Sequence, residues 1–229
     1  MQIDNYYTKN KIIGVTGNSG SGKSTFINSF EKNRSTGIIN LDIIKKNIVD
    51  DQIEYFVRKY KYRLSELEDR KEEIIKMLDI DKSILNKSIY DISESELSKV
   101  LIASVLLCNP DTIIFDEMLD AFDSSNKIKI LKLFIKLKKF FKKTIFIVTS
   151  NIDDIYEFID EAIIVDNGEV LLYGNKFDVF LNYDILEKKN IRIPSIVTFI
   201  RKIRSNNINI DNVDSINELI KTLYREIRW

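Results

Sequence analysis

The segment Gly17-Asn18-Ser19-Gly20-Ser21-Gly22-Lys23-Ser24-Thr25 gathers the residue types that wrap a phosphate group. Four of the seven glycines of the chain lie between Gly14 and Gly22, where a backbone has to turn tightly to aim successive amides at one ligand. Lys23 adds a full charge toward the β- and γ-phosphates of a nucleotide, and the Ser24 hydroxyl suits Mg2+. The spacing GxxxxGKS carries this meaning only between a strand and a helix. It has that setting here, with an apolar run at 12–16 and a helical pattern from 23 to 31. Downstream, Asp116 and Glu117 close a second apolar run. A carboxylate at 116 can hold Mg2+ through water, and one at 117 can orient or deprotonate a water for in-line attack on phosphorus.

These groups need elements to carry them. A short strand at 37–41 precedes a polar, largely helical stretch at about 52–108, which reads as a helical subdomain. After Asn109-Pro110, strands and helices alternate: a strand at 112–115 and a helix at 124–141, a strand at 144–149 and a helix at 153–158, then a strand at 162–165. Such alternation predicts an α/β fold, a mostly parallel sheet with helices on both faces. Asp166-Asn167-Gly168 is a two-residue hairpin signal, turning the last parallel strand back through 170–173. From 176 the pattern is helical to Trp229, broken at Pro194 and by the Asn-rich 205–212. The expected organisation is a core at 1–183 and a helical C-terminal extension at 184–229.

Composition narrows the classes further. With 229 residues the chain suits one α/β domain with an appendix. Lys plus Arg and Asp plus Glu both number 35, so no global field favours nucleic acid as a partner. Histidine is absent altogether. The longest apolar stretch, at 100–108, falls far short of the roughly 20 residues that cross a bilayer, and the first residues are too polar for a signal peptide. A cytosolic chain is expected. Cys108 is the only cysteine and is expected to be a buried thiol without chemistry. The segment 124–143 carries eight lysines and no acidic residue, which suits a solvated outer face or, as a rarer outcome, an anionic membrane surface.

With these residues in view, the chain resembles the ABC ATPases. Asp120-Ala121-Phe122-Asp123 is similar to their D-loop, Ile92-Ser93-Glu94-Ser95-Glu96 stands where their signature motif belongs, and Lys99-Val100-Leu101-Ile102-Ala103 continues that motif's helix. The tail, from Gly174 to Phe180 and through Leu186 and Ile193-Pro194-Ser195-Ile196-Val197, resembles the C-terminal extension of energy-coupling factor transporter ATPases. The resemblance covers nearly the whole chain. It implies a P-loop NTPase fold of the ABC type, with ATP and Mg2+ as ligands. The partners it implies are a second ATPase subunit, as a heterodimer rather than a homodimer, a transmembrane coupling protein, and a vitamin- or metal-binding membrane component. It also implies a peripheral position on the cytoplasmic face of the membrane.

Several positions depart from that pattern. Ser93 keeps the signature serine that would approach ATP in trans, but Glu94 and Ser95 replace two glycines, placing a carboxylate beside a triphosphate. The same four residues, Ser93-Glu94-Ser95-Glu96, also read as a capping box. Ser150 stands where the family has its switch histidine, so hydrolysis on the chain's own loop is expected to be slow. Gln52 is the candidate for the family's coupling glutamine, at shorter spacing than usual, its alternative being a solvated residue at a helix start. Few residues precede Gly17, so the family's N-terminal antiparallel strands are expected to be largely missing, with Tyr6 or Tyr7 as candidates to stack on adenine, ordinary packing being the commoner outcome for such a tyrosine. Three readings follow: an ATP-hydrolysing importer subunit, a nucleotide-binding subunit with a regulatory or structural role, and a small-molecule kinase. The kinase rests on residues 15–25 alone and is opposed by Asp116-Glu117, the D-loop and the tail.

Overall fold

The computed structural model describes residues 9–30, 35–60, 67–206, 208, 210 and 213–226. Six strands form one sheet: β1 (Ile12–Thr16), β2 (Thr36–Ile39), β3 (Thr112–Asp116), β4 (Thr144–Val148), β5 (Glu161–Asp166) and β6 (Glu169–Asn175), in the spatial order β2-β3-β4-β1-β5-β6. All pairs are parallel except β5 with β6. β1 and β4 are buried along their whole length, as both faces of a parallel sheet are covered and neither can alternate apolar with polar.

Residue parity sorts the strands onto two cores. Ile13, Val15, Ile114, Phe146, Val148, Ile163 and Val165 meet Phe26, Ile27 and Phe30 of the segment built on α1 (Lys23–Asn28). Ile12, Ile113, Phe115, Ile145, Ile147 and Ile164 face the larger core, shared with α2 (Val49–Lys59), α3 (Leu67–Met77), α4 (Glu94–Leu106) and α5 (Ser124–Phe141). A buried ion cluster ties the first two of these together. Lys71 reaches Asp50 at 2.6 Å and Glu54 at 2.5 Å, and Glu54 also binds Arg58. The helix expected at 153–158 is instead a single turn, Ile152–Asp154, followed by irregular backbone. Ile152, Ile155, Tyr156 and Ile159 are all buried there, and their packing rather than helical propensity sets the backbone.

Four helices follow the sheet: α6 (Lys176–Phe180), α7 (Tyr183–Lys188), α8 (Ser195–Ser205) and α9 (Ile216–Glu226). The last two enclose a small core of their own, made of Ile200, Ile203, Ile210, Val213 and Leu219. Among the described residues no helix is long and apolar enough to cross a membrane. The parallel sheet therefore has one chemically important edge. The C-terminal ends of β1, β3 and β4 deliver Gly17, Asp116 with Glu117, and Thr149 with Ser150 to the same side, beside the crevice where ligands bind open α/β sheets.

Candidate nucleotide site

The glycine-rich turn closes on its neighbours too tightly for side chains. Gly22 caps α1 with φ of 92°, and a Cβ there would lie 2.5 Å from the Gly168 Cα. Gly168 itself, with φ of 79°, completes the Asn167-Gly168 hairpin turn and donates its amide to the Ser21 carbonyl at 2.7 Å. The hairpin β5–β6 thus buttresses the loop from outside. On the other flank Asn18 donates its side-chain amide to the Lys189 carbonyl at 3.0 Å, while the Lys189 ammonium pairs with Asp166 at 2.8 Å.

Lys23 is buried, with 8% of its surface exposed, and its ammonium lies inside the loop. It donates to the carbonyls of Gly17 at 3.1 Å and Asn18 at 3.2 Å and to Ser150 Oγ at 3.0 Å. Ser150 in turn donates to Glu117 Oε1 at 3.1 Å, and that oxygen lies 3.5 Å from the lysine. Residues 23, 117 and 150, far apart in sequence, therefore form one hydrogen-bonded chain. Glu117 holds φ of 53°, an unusual conformation for a residue with a side chain, stabilised by its amide donating to Val148 O at 3.0 Å. The backbone strain aims its carboxylate out of the sheet toward the loop.

Ser24 and Asp116 lie beside Asn40 and Asp42 on the wall of a cavity of about 440 Å3, where β2 ends next to β3. Burial pushes the Asp116 carboxyl above the usual range, Glu117 and Asp42 add to that effect, and a hydrogen bond from Asn40 and the charge of Lys23 partly oppose it. The Asn40 Oδ1 atom is buried without a hydrogen-bond partner. An orphaned oxygen beside Ser24 and a desolvated Asp116 is an oxygen-rich donor set that fits a hard divalent cation such as Mg2+. Asn40 was missed in the sequence because only the β2–β3 pairing reveals which residue ends the strand next to Asp116.

Gln52 is placed elsewhere. It is fully buried in α2, accepts from the amides of Lys45 at 2.7 Å and Lys46 at 3.0 Å, and donates to the Ile43 carbonyl at 3.1 Å. Its polar atoms are spent on stapling the loop after β2. Ser93 and Glu96 form the capping box expected of them, with the Ser93 hydroxyl accepting from the Glu96 amide at 3.2 Å and the Ser93 amide donating to Glu96 at 2.8 Å. Hydrogen bonding to Ser93 holds the Glu96 carboxyl below its usual range. Glu94 is exposed at the same helix start. Asp120 joins Asp154 around Lys127, at 3.0 Å and 2.6 Å, and Asp123 caps α5. Cys108 is buried, and burial pushes its thiol up to about 11, consistent with an inert group. Tyr6 and Tyr7 lie outside the described residues.

A family model described as ABC transporter matches residues 2–120 of this chain. The chain belongs to the ABC transporter family. This ABC protein is 28% identical to an energy-coupling factor transporter ATP-binding protein of Mycoplasmoides gallisepticum, over 90% of the chain and 76% of the relative. It is 26% identical to one of Clostridium perfringens, over 95% of the chain and 87% of the relative. Among solved structures, cbiO1 of Clostridium perfringens, described as part of the ABC transporter complex cbiONQ, superposes with a TM-score of 0.66 at 23% identity, covering 85% and 88% of the two chains, and so shares the fold. The ATP-binding cassette MJ0796, in a post-hydrolysis state bound to ADP and Pi, superposes with a TM-score of 0.64 at 25% identity, covering 73% and 86%. The α/β sheet described above is that of the ABC cassettes, and the chain is an ABC-type ATPase.

Proposed function

We propose that this chain is the ATP-hydrolysing subunit of an energy-coupling factor type importer, peripheral on the cytoplasmic face of the membrane. It pairs with a second ATPase and couples nucleotide binding to a transmembrane protein and to a membrane component that binds a vitamin or a metal ion. The observation that carries this reading is the convergence of Lys23, Glu117 and Ser150 on the phosphate loop, in a chain whose curated relatives match over nine-tenths of its length. Within it, the loop from Gly17 to Thr25 binds the phosphates and Lys23 turns its ammonium from loop carbonyls to the ligand. Glu117 orients the attacking water. Ser24, Asn40 and Asp116 would hold Mg2+, which supplies charge neutralisation on the phosphates when bound. The division at residue 183 belongs to the same reading, supported by the separate small core of α8 and α9.

A regulatory or structural role with little turnover is a second reading, favoured by two observations. Glu94 stands exposed at the signature helix start, where it would face a partner's nucleotide, and the Ser93 hydroxyl is already engaged by Glu96. Glu117→Gln distinguishes the two. With a partner ATPase present, the importer reading expects hydrolysis at this chain's site to fall at least about a hundredfold while ATP binding persists. Unchanged turnover would assign the chain to the second reading.

A further inference from the structure

Helix α5 leaves the nucleotide edge of the sheet after Asp123 and returns to the start of β4, so its C-terminal end lies at the opposite edge from the phosphate loop. Its inner side is Ile130, Leu131, Leu133, Phe134 and Leu137, all buried. At 100° per residue, Ile128, Lys129, Lys132, Lys136, Lys139 and Phe140 fall on one contiguous outer arc, and all six are exposed. Other lysines nearby are already matched with acids: Lys127 with Asp120 and Asp154, Lys138 with Asp160, and Lys143 with Asp111. Lys132, Lys136 and Lys142 have no ion-pair partner among the described residues. Phe140, on that arc, is 68% exposed with the Lys139 ammonium 5.5 Å from its ring centroid, and Ile128 at the other end of the arc is 45% exposed. Phe141, by contrast, falls on the inner side with Phe134 and Leu137 and lines a cavity against α3.

Solvation accounts for the lysines but not for Phe140 and Ile128 left in water among them. A row of ammonium groups interleaved with apolar side chains matches the boundary between headgroups and acyl chains, where anionic lipid meets the lysines and the Phe140 ring enters the apolar layer. Duplex nucleic acid would engage the lysines and leave that ring unburied. We propose that the outer face of α5, anchored by Phe140, adsorbs to an anionic lipid bilayer. The phosphate loop, Asp116 and Glu117 lie at the other end of the sheet, so adsorption leaves them free. The inference stands independently of the import reading.

The test is sedimentation of the full chain with vesicles of phosphatidylcholine, and with vesicles in which about a third of the lipid is phosphatidylglycerol. The chain is expected to partition onto the anionic vesicles, more weakly as salt rises, and to stay off the neutral ones. One lysine near such a surface is worth about fivefold in partition, so Lys132→Gln, Lys136→Gln and Lys139→Gln together should weaken binding by about a hundredfold. Phe140→Ser should weaken it at every salt concentration. ATP binding should be the same in all variants, which checks their fold. Equal binding to both vesicle types, or a triple lysine variant that binds like the parent chain, would overturn the proposal. So would tighter binding to a duplex DNA oligonucleotide than to anionic vesicles at matched salt.

Discussion

Ser150 bridges Lys23 and Glu117, yet a hydroxyl differs from an imidazole in what it can carry. It passes a hydrogen bond from one side to the other but holds no positive charge near a developing phosphate anion. At the proposed Mg2+ site the corresponding question is which amide serves, and geometry separates Asn40, beside Asp116, from Gln52, bonded to the loop after β2. Asn40→Ala should lower Mg2+-dependent ATP hydrolysis by about tenfold while costing only about 1 kcal/mol of stability, since its Oδ1 has no protein partner and the hydrogen bond it loses is the one to Asp116. Gln52→Ala should do the reverse, costing about 1–3 kcal/mol of stability by stranding the amides of Lys45 and Lys46, with little effect per folded molecule on turnover. Steady-state rates and urea unfolding on both variants check the pair. If Gln52→Ala were the one to abolish turnover in a stably folded chain, the placement of Asn40 at the metal would be wrong. The phosphate loop and Asp116-Glu117 could be read from sequence because covalent adjacency fixes their relative geometry. Asn40 could not, since its role depends on a strand pairing across more than seventy residues.

Strands β1, β3 and β4 announce themselves as continuous apolar runs, and the 124–141 helix as a periodic one, since burial on two faces or on one leaves those imprints. The segment after Ser150 carried the same kind of pattern, and there the packing of its buried side chains prevailed over helical spacing. Between α2 and α3 the decisive feature is a charge cluster that periodicity does not register. Burial works against ionised Glu54, but hydrogen bonds from Lys71 and Arg58 prevail and hold its carboxyl below the usual range. Burial likewise opposes the Lys71 ammonium, and Asp50 with Glu54 outweigh it, holding the group above the ordinary lysine value. The sign for each follows. The contribution of Glu54 is present above the ordinary glutamate range and is lost as pH falls through its depressed native value. That of Lys71 is present below the ordinary lysine value and is lost as pH rises through its raised one. The cluster is therefore intact across neutrality and opens in acid. Lys71→Met, which leaves a buried carboxylate short of a partner, should cost about 3–5 kcal/mol at neutral pH and flatten the loss of stability on acidification. Urea midpoints measured at neutral pH and in the carboxylate range read both effects. Equal midpoints for parent and variant would show that the cluster contributes nothing.

At the scale of the assembly, the proposed pairing has the two departures from the family pattern act on different nucleotides. Ser150 is bonded to this chain's own loop lysine, whereas Ser93 and Glu94 lie at the start of α4, which in the proposed pairing faces the nucleotide held by the partner. In a homodimer each composite site would contain both a missing imidazole and an intruding carboxylate. In a heterodimer with a partner of unbroken motifs each site would contain only one. A carboxylate about 4 Å from a phosphate costs about 1 kcal/mol in water and about 4 kcal/mol at a partly desolvated interface, enough to slow closure by one to three orders of magnitude. The two arrangements therefore respond differently to repair. In a heterodimer whose partner has been silenced by removing its own catalytic glutamate, all turnover comes from this chain's loop. Ser150→His should then raise the rate about tenfold or more, and Glu94→Gly should leave it unchanged, because Glu94 faces the silenced site. In a homodimer Glu94→Gly should raise the rate as well, and the double variant should exceed either single one. Steady-state hydrolysis by the four proteins, measured at saturating ATP, decides between them. Faster turnover from Glu94→Gly with a silenced partner would place both defects in one composite site and remove the division of labour proposed for the pair.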